Sequence, residues 1–164
     1  MQPSGRTASA MSGLSAPVLE TLAHVAKELT VADGPWWLIG GAAAGLHGAE
    51  DGAIADVDII MSPRDARKVL ACLKVVPEQD GGTDLFRSEI FGRWSDPPLT
   101  VDLMGGMEVL TAGGWRRVEP ATREPIRVGG QLVYTPSRAE LIDILRLFGR
   151  PKDLARARRL SEAG

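Results

Sequence analysis

The stretch Ile54-Ala55-Asp56-Val57-Asp58-Ile59-Ile60-Met61 sets two acids inside an otherwise apolar run. Its apolar residues first alternate and then run together, the pattern of a strand in the middle of a sheet. Side chains two apart on a strand share a face, so Asp56 and Asp58 point the same way. Two like charges side by side are costly without a compensating cation. Further on, Leu99-Thr100-Val101-Asp102-Leu103-Met104 embeds a third acid in another expected strand. If the two strands are neighbours, three carboxylates converge, and oxygen ligands of that kind suit Mg2+ or Mn2+.

Upstream, Trp36 to Ile39 reads as a short buried strand, and Gly40-Gly41 separates it from a short helix, Ala42 to His47, that Gly48 stops. Glycines there let the backbone approach a ligand closely, and a helix start offers free N–H groups to an anion. A carboxylate metal site beside a phosphate-binding glycine turn is suited to phosphoryl or nucleotidyl transfer. Each piece alone has a plainer explanation: a Gly-Gly turn is common, and an Asp-x-Asp also suits an exposed edge. Acids set in order within strands that otherwise want burial carry the argument. Gly40 to Gly45 has the glycine spacing of a P-loop, but Leu46-His47 stand where that motif needs Lys followed by Ser or Thr, so it is excluded.

The rest of the chain alternates helix and strand signals around this centre. Residues 1–14 are rich in Ser, Gly and Ala and read as a disordered tail; residues 15–164 read as one domain. Ser15 caps an amphipathic helix over Pro17 to Leu29, which Ala32-Asp33-Gly34-Pro35 breaks. Glu50-Asp51-Gly52 is turn-like, and Ser62-Pro63, with Asp65 in the first turn, starts a helix to about Lys74. Cys72 within it reads as a buried structural thiol. After the Gly81-Gly82 turn, Asp84 to Trp94 and Leu99 to Met104 read as two strands. Pro125 to Val128 and Gln131 to Tyr134 read as a hairpin around Gly129-Gly130, while Met107 to Val118 gives no clear signal. Ser137-Arg138-Ala139-Glu140 is a capping box opening the first of two C-terminal helices over residues 136–160. The order predicts an α+β fold, a mixed central sheet flanked by helices with a helical C-terminus.

Composition narrows the chemistry. The chain has 164 residues, 44% hydrophobic and 24% charged, with 19 Lys plus Arg against 21 Asp plus Glu and a net charge of −2. That balance excludes a generic electrostatic nucleic-acid binder, though not a local basic patch. An aromatic fraction of 5% argues against a base-stacking surface. One cysteine and two histidines leave no disulfide and no Cys/His metal cluster, so carboxylates are the ligands available. No run approaches the roughly 18 apolar residues that span a bilayer, and Met1 to Ser12 does not read as a signal peptide, so a cytoplasmic protein is expected. His47 reads as a helix-end residue, Trp36 and Trp37 as core, and the basic cluster Arg146, Arg150, Lys152, Arg156, Arg158 and Arg159 as a solvated helix face or an anionic-substrate groove.

The glycine pair, the Asp56-Val57-Asp58 triplet and Asp102, in that order, resemble the nucleotidyltransferase superfamily of the DNA polymerase β type. The likeness is strongest to its small bacterial branch: minimal nucleotidyltransferases, AbiE-like toxins, and aminoglycoside or lincosamide nucleotidyltransferases. Phe148-Gly149-Arg150-Pro151-Lys152-Asp153-Leu154 also resembles that branch's helical ending. The resemblance implies an enzyme moving a nucleoside monophosphate from an NTP to an acceptor hydroxyl on a protein, a tRNA or a small molecule. It implies that Gly40 and Gly41 cradle the triphosphate and that Asp56, Asp58 and Asp102 hold Mg2+ or Mn2+. It further implies that Asp102 helps deprotonate the acceptor and that Lys152 or Arg150 reaches the phosphates. The chain departs from the branch in having Gly41 where many relatives have Ser, and Gly52 and Ile54 where toxin-like and drug-modifying relatives carry Arg and Thr. The alternative is a catalytically degenerate protein of this fold, serving as a binding partner in a toxin–antitoxin type of system.

Overall fold

Ser15 and Ser62 each accept a hydrogen bond from a first-turn amide, Val18 and Asp65 respectively, and each is followed by a proline in the first turn. These caps start α1 (Ala16–Glu28) and α3 (Pro63–Leu73) where the sequence places them. The computed structural model describes residues 6–7, 14–49, 54–79 and 82–163. Within the stretch read as a tail, β1 (Arg6–Thr7) pairs in parallel with β9 (Glu124–Val128); the rest of residues 1–13, the Glu50-Asp51-Gly52 turn and Gly81 lie outside the described residues.

The central sheet is mixed, with strand order β2 (Trp37–Ile39), β3 (Asp56–Met61), β6 (Thr100–Gly105), β5 (Ile90–Trp94). β3 and β6 are parallel, and the two outer pairs are antiparallel. One face carries Leu38, Val57, Ile59, Val101, Leu103 and Trp94 into the main core, against α1, α3 and α2 (Gly40–Leu46). The other face is divided. Trp37, Ile39, Ile60 and Met104 form a second core with Val109, Val118, Ile144 and Phe148, while Asp56, Asp58 and Asp102 alternate into the remaining part of the same face.

Two small sheets complete the fold. The expected hairpin forms as β9 with β10 (Gln131–Thr135), and Gly129 and Gly130 both take the positive φ that a tight hairpin turn requires. Met107 to Val118 proves to be a second hairpin, β7 (Glu108–Thr111) with β8 (Gly114–Arg117). The single strand expected over Asp84 to Trp94 splits: β4 (Phe86–Arg87) joins β7, and only β5 stays in the central sheet. Ser88-Glu89 separates two pairings with different partners, a break that local alternation does not reveal.

The C-terminus is α4 (Arg138–Phe148) and α5 (Pro151–Ala163), with Gly149 left-handed between them. Ser137 caps α4 by accepting from the Glu140 amide. The Glu140 carboxylate does not return to the Ser137 amide as the capping box predicts. It accepts from the Ala121 and Thr122 amides at 2.7 and 2.8 Å and from the Thr122 hydroxyl, pinning the loop before β9. These bonds hold the Glu140 carboxyl below its ordinary range even though partial burial pushes the other way. Cys72 is exposed, contrary to expectation. It lies more than a quarter-turn off the stripe of Ala66, Val69, Leu70 and Leu73 that faces the core.

Asp65 does more than favour the start of α3. Buried at 3% exposure, its carboxylate accepts from the amides of Asp33 and Gly34 at 3.1 and 2.8 Å, fixing the turn that feeds β2. Asp65→Ala leaves both amides without that partner, and the urea midpoint should fall by the equivalent of roughly 2 kcal/mol with an unchanged slope.

Candidate active site

The parallel register sets Asp58 directly beside Asp102, and Ile39, the residue before Gly40, on the other side of Asp58. Asp56 precedes Asp58 by one full pleat and is exposed at the rim. One carboxylate oxygen from each of Asp56, Asp58 and Asp102 lies within 4.8 Å of the others, so the three acids face one point from two adjacent strands.

Their environments differ. Burial, then the negative charges of Asp56 and Asp102, push the Asp58 carboxyl up to about 7, against the weaker opposing pull of Arg150 and Lys152. Asp102 is also raised, first by burial; a hydrogen bond from Arg93 Nε at 3.0 Å holds part of that rise back. Arg93 stands opposite Asp102 on β5, an antiparallel cross-strand pair with the arginine half in solvent. The acids therefore form a partly desolvated cluster in which negative charge is under-compensated. A divalent cation held by oxygen ligands relieves that excess, so the donor set fits Mg2+ or Mn2+.

Gly40 closes the site from β2. Its φ of +67° favours glycine, and a Cβ there would stand 2.9 Å from Asp58 Oδ2. The carboxylate and the glycine turn are thus in contact, as the sequence order suggests. The helix that follows begins at Gly40 rather than Ala42, with Ile39 as a cap that supplies no side-chain bond.

Cations arrive from the C-terminal helices. Arg150 donates Nε and Nη2 to Asp153 at 2.6 and 3.1 Å and rests over the Phe86 ring, while Asp153 is fully buried. Arg150 and Lys152, the two cations expected to reach the phosphates, both lower the Asp58 carboxyl electrostatically. Arg156, on α5, comes against Gly41: a Cβ on that glycine would lie 2.9 Å from Arg156 Nη2. The sequence sets Arg156 in a basic cluster read as a solvated helix face or an anionic-substrate groove. Its spacing of four from Lys152, one helical turn, is the signal that sets it on the same side. Arg146, Arg158 and Arg159 remain exposed.

Three residues weighed for function lie elsewhere. His47 is fully buried, with Nε2 2.9 Å from both Thr135 Oγ1 and the Pro136 carbonyl, and its own carbonyl accepts from Arg138. It is a helix-end residue, as expected. Trp36 and Trp37 are buried, the Trp37 indole donating to the Thr122 carbonyl at 2.9 Å. Arg116, Arg117 and Glu119, with Asp143 and Arg146 from α4, line a cleft of about 480 Å3; none of the three acids lines it. Gly52 lies outside the described residues, and Ile54 packs at the edge of the main core.

No family model matches the chain, and no curated protein matches it in sequence. Its fold is shared with solved nucleotidyltransferase structures. A candidate nucleotidyltransferase from Thermotoga maritima superposes with a TM-score of 0.68 at 17% identity, over 89% of this chain and 93% of its own. The lincosamide antibiotic adenylyltransferase LnuA superposes at 0.56 and 13% identity, over 93% and 100% of the two chains. The enzyme ANT(2")-Ia, in complex with adenylyl-2"-tobramycin, gives 0.53 and 19%, over 92% and 91%.

Proposed function

We propose that this protein is a metal-dependent nucleotidyltransferase, transferring a nucleoside monophosphate from an NTP to an acceptor hydroxyl with release of pyrophosphate. The observation that carries the reading is the convergence of Asp56, Asp58 and Asp102 within 4.8 Å, beside a glycine turn that touches Asp58. The fold it shares with the adenylyltransferase LnuA, and with ANT(2")-Ia in complex with adenylyl-2"-tobramycin, supports the same reaction class.

In this reading Asp56, Asp58 and Asp102 hold Mg2+ or Mn2+, which supplies electrostatic stabilisation of charge on the transferring phosphoryl group. Gly40 and Gly41 leave room for the triphosphate against the backbone, and Lys152 and Arg150 offset its charge. Asp102, whose basicity burial raises, accepts the proton of the acceptor hydroxyl. That oxygen bonds to the α-phosphorus, and the bond from the α-phosphorus to the bridging oxygen breaks as pyrophosphate leaves. The acceptor is a protein, a tRNA or a small molecule such as an aminoglycoside or lincosamide. The cytoplasm, which supplies NTP and Mg2+, is the compartment that fits.

The test incubates the protein with Mg2+ and each α-labelled NTP, offering protein, tRNA, aminoglycoside and lincosamide acceptors. Label should pass to one acceptor class with the wild type and fall by at least about 100-fold with Asp56→Ala. An equal null for both proteins with every acceptor, together with no nucleotide binding by calorimetry, would replace this reading with a non-catalytic partner protein on the same fold.

A further inference from the structure

Gly40 and Gly41 are glycines for different reasons. Gly40 has a positive φ, whereas Gly41 has a backbone conformation open to any residue. What a side chain at 41 would meet is Arg156: the Cβ position lies 2.9 Å from Nη2, 3.2 Å from Cζ and 3.6 Å from Nε. The whole guanidinium therefore fills the space into which residue 41 would project. Arg156 is half-buried on the face of α5 that packs on α2, while Arg158 and Arg159, further along the same helix, are exposed. A guanidinium brought this close to a glycine turn, next to a carboxylate metal site, is placed to bind phosphate oxygens with paired N–H donors.

We propose that Arg156 is a polyphosphate ligand of this site and that Gly41 is its steric counterpart, the guanidinium taking the place of a side chain at the turn. The proposal rests on the nucleotide-binding reading above and adds to it a residue that contacts the β- and γ-phosphates of the bound NTP. It also accounts for Gly41 where many relatives have Ser. A Cβ at that position and Arg156 compete for the same volume.

Calorimetry with Mg2+ and tripolyphosphate, a probe that carries no base, tests it alongside the four NTPs and NMPs. Arg156→Ala should weaken tripolyphosphate and NTP binding about 10- to 50-fold and leave NMP binding within about twofold. Arg159→Ala, on the same helix but exposed, should change neither. Gly41→Ala should weaken NTP binding in the wild type by more than it does in Arg156→Ala, because there the competing guanidinium is gone. If Arg156→Ala does not fold, Arg156→Gln keeps a polar side chain without the guanidinium and carries the same expectation. NTP binding that persists unchanged in the Arg156 variants would overturn this proposal and leave the proposed function intact. A wild type that binds neither tripolyphosphate nor any NTP would overturn both.

Discussion

Asp58→Asn should abolish nucleotidyl transfer, by about 10^3-fold or more, and at the same time make the metal-free protein more stable. The loss follows from removing the most buried of the three acids, where one missing electrostatic contact in a desolvated site is worth roughly 4 kcal/mol of barrier. The gain follows from proton linkage. The Asp58 carboxyl is raised to about 7 in the folded protein from an ordinary 3.8. Between those values the folded state holds a proton that the unfolded state has released, so stability falls as pH rises from about 4 to about 7. Above pH 7 the folded protein carries the full cost of the ionised group, on the order of 3–4 kcal/mol. Asparagine removes that cost. At pH 8 without metal, the thermal midpoint of Asp58→Asn should exceed the wild type's by about 5–10 °C, and the gap should close as the pH is lowered to 4. Mg2+ should narrow it from the other side, by stabilising only the wild type. A variant that melts below the wild type at pH 8 would show that the cluster is not strained by its own charge.

Gly105→Ala is the largest purely structural change expected. Gly105 ends β6 with an ordinary extended backbone, so only space is at issue. A Cβ there would sit 2.7 Å from the Ala66 Cβ and 2.9 Å from the Pro63 Cα, and would also run into Ile90 Cγ2. The first turn of α3 cannot retreat, because Ser62 joins it directly to β3 and Asp65 ties it to the turn before β2. Overpacking against backbone costs about 3 kcal/mol or more here, at the upper end for such changes. Gly92→Ala, which meets only the flexible end of Leu70, should cost less than half as much, and the open Gly113→Ala should be nearly neutral. Denaturant midpoints for the three variants check the order.

The acids were legible because they break an apolar strand, and period-two alternation alone puts Asp56 and Asp58 on one face. Asp102 was legible as a strand acid, but its pairing with Asp58 was not. The β3–β6 pairing is parallel and joins segments far apart in sequence, so no local pattern fixes the register. The same limit hid β4. Phe86-Arg87 and Ile90–Trp94 are nearly continuous in sequence and belong to different sheets because their partners differ. The Glu140 contacts were also out of reach, since a capping box states what a carboxylate can reach locally, and here Ala121 and Thr122 bind it more fully. Arg156 was read only as one of six basic residues, a solvated face or an anionic-substrate groove; its place against Gly41 depends on how α5 packs on α2, which composition does not show.

The divided face of the central sheet has a kinetic consequence. The acids and the second core share β3 and β6, and α4 reaches both cores while leading into the helix that brings Lys152 and Arg156. The glycine turn and the acid pair lie on consecutive, paired strands, but the third acid and the cations come from segments far along the chain. Closing those long loops is the slow part of building such a topology. The charge-bearing centre is thus complete only when the C-terminal helices have docked on the sheet that carries the acids.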